Sequence, residues 1–289
     1  MIVVTGADGI VGRAVCALLR TGETEFIPIV RHRKAYTPIE ALVLNLANQT
    51  DFEALSGKRI DGIIHLAAAV PHSSYYPDTA ESAELTRSID RNVLSFCKQV
   101  DCPVVYMSTC GLYDRISPIV KCEEKSEIKI ESPYFEAKFA GEQLFSAEAL
   151  SVILRLAAPI GPGQKSTVVL SRFVIATRKN TPIRLWGTGK REQNFVDVRD
   201  VARLIHQAML TPKRSVLNVA SEKPTTMVEL AKIVIEILNK GSVVFDDKID
   251  PKENETARYS IEKAYELYKW KPEYLLYDSI RMIAEEEFE

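Results

Sequence analysis

The chain opens on four β-branched residues, Ile2 to Thr5, and runs at once into Gly6-Ala7-Asp8-Gly9-Ile10-Val11-Gly12. Gly12 to Arg20 then carries a helical pattern, so glycines spaced GxxGxxG fall between a first strand and a first helix. No other feature narrows the fold as much. Such a turn lets backbone approach a pyrophosphate and lets helix pack closely on strand. The helix start adds unpaired N–H groups and the positive end of its dipole. A dinucleotide-binding βαβ unit is the expectation, with Gly6, Asp8, Gly9, Ile10, Val11 and Gly12 against the cofactor.

The alternation continues. Strands are predicted at Glu25 to Val30, Ala41 to Leu46, Gly62 to Ala68, Val104 to Ser108 and Ser151 to Leu156. Between them lie a polar helical turn at Asp51 to Ser56 and helices at Thr79 to Val100 and Pro133 to Ala149. In the first of these helices Leu85, Ile89, Val93, Leu94 and Phe96 share one side. Strands alternating with helices imply a parallel sheet covered on both faces. After Pro159 the pattern loosens, with Pro162, Pro182 and Pro212 as punctuation. Helices are predicted near Val168 to Arg178, Val198 to Leu210, Thr226 to Asn239 and Ser260 to Tyr268. The fold class is therefore α/β: a doubly wound parallel Rossmann sheet over residues 1–160, rejoined by about 194–210. A smaller mixed α/β substrate domain occupies residues 161–289.

Composition removes several alternatives. The 289 residues carry 37 basic and 39 acidic side chains. There is no basic field for phosphate neutralisation, and no nucleic-acid partner is expected. No apolar run reaches the roughly 18–20 residues of a membrane helix, and the amino terminus lacks a signal peptide's cationic start. Five cysteines without a CxxC read as free thiols of a reducing, cytoplasmic compartment. His32, His65, His72 and His206 form no HxxxH or HExxH pair, so no metal site is expected. No GxSxG elbow appears, and in Gly161-Pro162-Gly163-Gln164-Lys165-Ser166 a glutamine breaks the phosphate-loop spacing.

The second strand ends Ile29-Val30-Arg31-His32-Arg33, without the carboxylate that usually meets the ribose of NAD. Arg31 and Arg33, with Arg13 as a third cation, can instead grip a 2′-phosphate. NADP(H) is favoured, with NAD(H) as the alternative.

Tyr134-Phe135-Glu136-Ala137-Lys138 forms a YxxxK pair, a spacing shared by Tyr259/Lys263 and Tyr265/Lys269. Context separates them. Tyr134 follows Pro133 at a helix start, Lys138 lies one turn later on the same face, and an upstream strand delivers Ser108-Thr109 to the carboxyl edge where such sheets bind ligands.

With these residues the chain resembles the extended short-chain dehydrogenase/reductase family, the epimerase/dehydratase group that acts on sugar nucleotides. The glycine loop matches TGxxGxxG, and His65-Leu66-Ala67-Ala68 matches HxAA. Met107 to Asp114 is similar to SS/TxxVYG, Arg155 to Gly163 to RxxNxYGPG, Gln193 to Ala202 to RDFVYVDDVA, and Trp270-Lys271-Pro272 to the late GWxP. The resemblance implies Thr109, Tyr134 and Lys138 as catalytic residues. Thr109 would bond the substrate oxygen, Tyr134 would move the proton, and Lys138 would lower the Tyr134 pKa and hold the nicotinamide ribose. It further implies cofactor contacts at Asn45, Leu46, Leu66, Ala67, Ala68, Ser108 and Ala157. Substrate contacts follow at Val70, Thr109, Cys110, Ala158 and Gln193. A homodimer through the helices at Thr79–Val100 and Pro133–Ala149 is also implied, with Phe139, Leu144 and Phe145 as the surplus apolar surface.

Departures narrow the reaction. Cys110 and Gly111 stand where dehydratases carry Asp-Glu, so a 4,6-dehydratase is not expected. Thr86 replaces the fourth-helix asparagine, Ala158 the asparagine of RxxNxYGPG and Gln193 the arginine of RDF, while Asp250 to Asn254 shows no RxGD. The first reading is an NADP(H)-dependent reductase of a keto group on a deoxysugar nucleotide. An NAD-dependent sugar-nucleotide epimerase is second, and a catalytically silent NADP-binding regulator third.

Overall fold

The computed structural model describes residues 1–34, 37–71, 77–113 and 121–285. His72, and Asp114 at the end of the Met107–Asp114 match, lie outside them. The first half runs β1 (Ile2–Thr5), α1 (Ile10–Thr21), β2 (Phe26–Val30), β3 (Leu42–Val43), β4 (Gly62–His65), α2 (Ala80–Val100), β5 (Val104–Thr109), α3 (Pro133–Glu148) and β6 (Ser151–Leu156). The predicted polar turn is a 3-10 stretch, Gln49–Leu55. There follow β7 (Ala158–Ile160), α4 (Val169–Arg178), β8 (Ile183–Trp186), β9 (Glu192–Gln193), β10 (Phe195–Asp197), α5 (Val198–Leu210) and β11 (Ser215–Val219). The last elements are β12 (Thr225–Thr226), α6 (Met227–Leu238), β13 (Val243–Asp246), α7 (Glu262–Tyr268) and α8 (Leu276–Glu285).

The main sheet has seven strands in the order β11-β6-β5-β4-β1-β2-β3, and all its pairings are parallel. Winding starts at β1 and proceeds outward in both directions, which leaves a crevice at the carboxyl ends of β1 and β4, where such sheets take ligands. Strands β1 and β4 are buried along their whole length, as expected when helices cover both faces. One face packs α1 and α5 through Val15, Leu19, Val201 and Ile205. The other packs α2 and α3 through Val93, Phe96 and Phe145. Leu170, Phe173, Leu230, Val234, Ile280 and Ile283 join α4, α6 and α8 in a third cluster.

Several elements after Leu156 escape the sequence pattern, β11 and α8 among them. Strand β11 follows Pro212 as a five-residue piece with an asparagine inside it, yet it extends the main sheet beside β6. Asn218 is tolerated there because its amide donates to the Cys122 and Ser260 carbonyls. Helix α8 also stands beyond the predicted set.

The expected apolar side of α2 is offset. Ser82, Thr86 and Asp90 are buried with Val93, Leu94 and Cys97, while Leu85 and Ile89 are only half-buried. Phe145 is not surplus surface either. It is fully buried against the rings of Tyr106 and His65.

The WxP element has a structural use. Trp270 is buried and its indole N–H donates to the Asp200 carbonyl, while the Asp200 carboxylate accepts from the N–H groups of Glu273 and Tyr274. The carboxyl-terminal segment is thereby clamped to α5.

Candidate active site

Gly6 has φ +65°, and a Cβ there would sit 3.0 Å from the Ala67 nitrogen. The glycine loop and the end of β4 can meet only because this position has no side chain. A Cβ on Gly12 would overlap the Gly6 carbonyl, so the last glycine is what lets α1 start so close to β1. The helix begins at Gly9 without a side-chain cap, and no acidic side chain stands in its first turn. An anion is the fitting partner for such a start, and a pyrophosphate satisfies it. Asp8 reaches Lys34 at 2.6 Å.

Around the end of β2 the cations divide. Arg31 is exposed. Arg33 donates to the carbonyls of Pro38, Ile39 and Ala41 at 3.2, 3.0 and 2.9 Å, which ties its guanidinium to the following loop. Arg13 donates to the Gly163 carbonyl at 2.6 Å and fastens α1 to the Gly161–Gln164 turn. That turn brings Lys165 towards Lys34 and Asp8. Partial burial and the nearby Lys34 charge hold the Lys165 ammonium below its ordinary value. Lys34 is next to Arg33 in sequence, whereas only the fold brings Lys165 near it.

Leu66, Ala67 and Ala68 are half-buried at the end of β4, and Val70 is exposed just beyond. Asn45 is exposed and its side-chain oxygen accepts from the Ala47 N–H, while Leu46 is buried. Ala157 is buried and donates its N–H to the Val219 carbonyl.

Thr109 ends β5. Its hydroxyl oxygen accepts from the Gly111 N–H at 3.0 Å, which leaves the hydroxyl proton to be donated outward. Cys110 is 1% exposed and its thiol turns to the Arg155 carbonyl, so only its backbone is available to a ligand. Ser108 spends its hydroxyl on Glu142 at 2.5 Å. Helix α3 packs against this turn, with the Phe135 ring lying over Gly111. Ser132 caps the helix through the Phe135 N–H, Pro133 supplies a ready-made first-turn φ, and Asp78 accepts from the Tyr134 N–H at 2.9 Å. Tyr134 is thus fixed at the first turn of α3, and Lys138 follows one turn later, 3% exposed.

The expected lowering of Tyr134 by Lys138 does not appear. Burial, with the negative Asp90 and Asp78, pushes the phenol above its usual value. The Lys138 ammonium lies 4.0 Å from the centre of the Tyr106 ring, and burial lowers it against the pull of Asp90 and Glu142.

Gln193 is half-buried on β9 beside β12, and the Ala158 N–H donates to the Asn194 carbonyl. Arg258, beside this strand, is paired to Glu192 at 2.8 Å.

Among the described residues no cluster of ligating side chains fits a metal ion, and no helix is long and apolar enough to cross a membrane. A parallel sheet of this winding, a glycine loop at its switch point and a Tyr/Lys pair beside it define the class: a nicotinamide-dinucleotide enzyme of the extended short-chain dehydrogenase type. Residues 2–220 match the profile of one group within that class, and the chain belongs to the NAD dependent epimerase/dehydratase family. It is 25% identical to a Methanocaldococcus jannaschii protein provisionally named UDP-glucose 4-epimerase, over 98% of this chain and 97% of that one. It is also 25% identical to a dTDP-4-dehydro-6-deoxy-D-allose reductase of a Streptomyces species, over 86% and 84%. The crystal structure of UDP-glucose 4-epimerase with UDP-glucose from Thermotoga maritima superposes with a TM-score of 0.88 at 23% identity, covering 98% of this chain and 97% of that chain.

Proposed function

We propose that this protein is an NADP(H)-dependent reductase of a keto group on a sugar nucleotide, with Tyr134 as proton donor. The observation that carries the reading is the placement of Tyr134 at the first turn of α3, one turn before the buried Lys138 and against the Thr109 turn that ends β5. A phenol so placed can give a proton to a carbonyl oxygen as it becomes an alcohol. When bound, the nicotinamide supplies the hydride. Gly6 to Gly12 and the open start of α1 hold the pyrophosphate. Thr109 donates its free hydroxyl proton to the substrate oxygen and orients it towards Tyr134. Lys138 presents its ammonium to the ribose and to the tyrosine as charge develops. The sugar-nucleotide assignment draws support from the two curated relatives named above, and residues after Ile160 form the substrate side of the crevice.

The 2′-phosphate assignment rests on Arg31 and Arg33 at the end of β2, with Lys34 and Lys165 close by. Arginine forms charge-assisted, two-pronged bonds to phosphate, and the end of β2 carries no acid. Arg31→Asp is expected to reverse the preference for NADPH over NADH in a calorimetric titration. An unchanged ratio rejects the assignment.

Likeness to epimerases in sequence and fold favours a second reading, reversible inversion at a sugar carbon. Mixing the protein with reduced cofactor and keto-sugar nucleotides separates the two. Stoichiometric loss of nicotinamide fluorescence supports the reductase; interconversion of epimers with no net cofactor oxidation supports the epimerase. We further propose a homodimer through the outer faces of α2 and α3, where Leu85, Ile89 and Phe139 keep partial exposure. A monomer in sedimentation at micromolar concentration overturns that pairing.

A further inference from the structure

Beneath Tyr134 lies a chain of buried polar groups that the proposed reaction does not use. The Thr5 hydroxyl oxygen accepts from the N–H groups of Leu66 and Ala67 at 3.1 and 3.2 Å. Its single proton is therefore aimed at His65 Nδ1, 2.8 Å away. With Nδ1 accepting, the neutral imidazole carries its proton on Nε2 and donates to Asp90 Oδ1 at 2.9 Å. Burial holds His65 below its ordinary value, in keeping with this tautomer. Tyr106 donates to the other oxygen, Asp90 Oδ2, at 2.8 Å. Both carboxylate oxygens thus receive a proton from a neighbour, and Asp90 is an anion whose histidine partner brings no charge.

Asp90 is 1% exposed, and an anion so buried needs a cation. From α3 it faces Lys138, Glu142 and Tyr134; from β4 and β5 it faces His65 and Tyr106. Glu142 is spent on Arg155 at 2.9 and 2.7 Å. Lys138 alone is positive and uncommitted: no acceptor among the described residues takes its ammonium, which lies on the ring of the tyrosine that holds Asp90. Gly141 makes the arrangement possible, because a Cβ there would overlap the Tyr106 hydroxyl and crowd Asp90.

We propose that Asp90, locked by His65 and Tyr106, is the buried counter-ion that keeps Lys138 an ammonium, and so is a positioning residue for proton transfer at Tyr134. The catalytic part rests on the Tyr134/Lys138 reading above; the ion pair itself does not. The same anion also lies close enough to raise the Tyr134 phenol, so its removal is felt by both groups of the pair.

Two measurements test this. The first is a double-mutant cycle in thermal unfolding with Asp90→Asn, Lys138→Met and both together. Each single change strands a buried charge, so the double variant is expected to lose several degrees less than the sum of the singles. Additive losses overturn the ion pair. The cycle uses no substrate, so it decides the pairing even if the reductase reading fails. The second is the pH profile of kcat. An opposite charge at close range shifts a pKa by about 1–3 units, so Asp90→Asn is expected to move the basic limb down by about one unit or more. Tyr106→Phe, which keeps the anion and loses one donor, is expected to leave the limb in place. A limb that stays put in Asp90→Asn overturns the positioning role. Asp90→Ser, smaller and neutral, replaces Asp90→Asn in both experiments if the latter does not fold.

Discussion

Lys138 and Glu142 stand one turn apart on the inner face of α3, and each belongs to a buried charge cluster of a different kind. Glu142 binds the Arg155 guanidinium through both oxygens and also accepts from Ser108. Arg155 gives another nitrogen to the Tyr113 hydroxyl and the Glu124 carbonyl at 2.9 Å each, and Tyr113 donates on to Asn218 at 2.6 Å. Almost every donor and acceptor in that cluster is used. It rivets β5, β6 and β11 together and has nothing left to offer a ligand. Around Lys138 the carboxylate is equally satisfied, but the ammonium has three donors and no acceptor among the described residues. A closed network holds a fold together, whereas an open one keeps a charge ready for something that arrives later.

The sharpest way to break this contrast is Tyr134→Phe. The ring stays, so packing and thermal stability are expected to hold, while turnover falls by roughly 10²–10⁴-fold. Steady-state rates beside a fluorescence titration of the cofactor check both halves, and full activity removes Tyr134 as the donor. Next comes Arg155→Met on the closed side. Stranding Glu142 is expected to cost about 3–5 kcal/mol in denaturant unfolding, and a variant as stable as the wild type shows that the network is not a rivet. Gly141→Ala lies between the clusters. Displacing Tyr106 and Asp90 is expected to cost about 1–3 kcal/mol by overpacking and to lower activity as well, both read on the same preparation.

The smallest effect is a pH slope. His65 has its folded pKa below its unfolded value of roughly 6.5. The unfolded chain therefore binds the extra proton first as pH falls through that value. The stability contributed by the neutral imidazole is present above it and lost below it, by at most about 1.4 kcal/mol per pH unit for one proton. His65→Gln is expected to flatten the acid side of a stability-against-pH curve. A wild-type curve without that slope contradicts a buried neutral His65.

Local signals were legible wherever a few adjacent residues settle the outcome. Helix α5 runs from Val198 to Leu210 as its pattern predicts, started by Asp197 accepting from the Arg199 N–H. Thr226 and Glu229 close a reciprocal cap at the start of α6, and Ser132-Pro133 start α3 in the place the Tyr/Lys pair requires. The glycine loop was legible because close backbone approach excludes any Cβ. Arg33 binds its own loop, and a guanidinium beside a strand end looks the same in sequence whether or not it does so.

The deeper part of the site was hidden for a related reason. Asp90 falls on the inner face of α2 one turn after Thr86, and an acid on that face was the available signal. Its partners, however, come from 25 positions upstream in His65 and 16 downstream in Tyr106. The sequence by itself determined the alternation of strands and helices, the glycine turn and the family. The first two follow from periodicity and backbone sterics within a few residues, and the family from short motifs in the right order. Only the tertiary structure decided which charges are spent and which remain available. That depends on burial and on donors brought together across the sheet, where removing water makes one missing hydrogen bond or counter-ion outweigh any local preference.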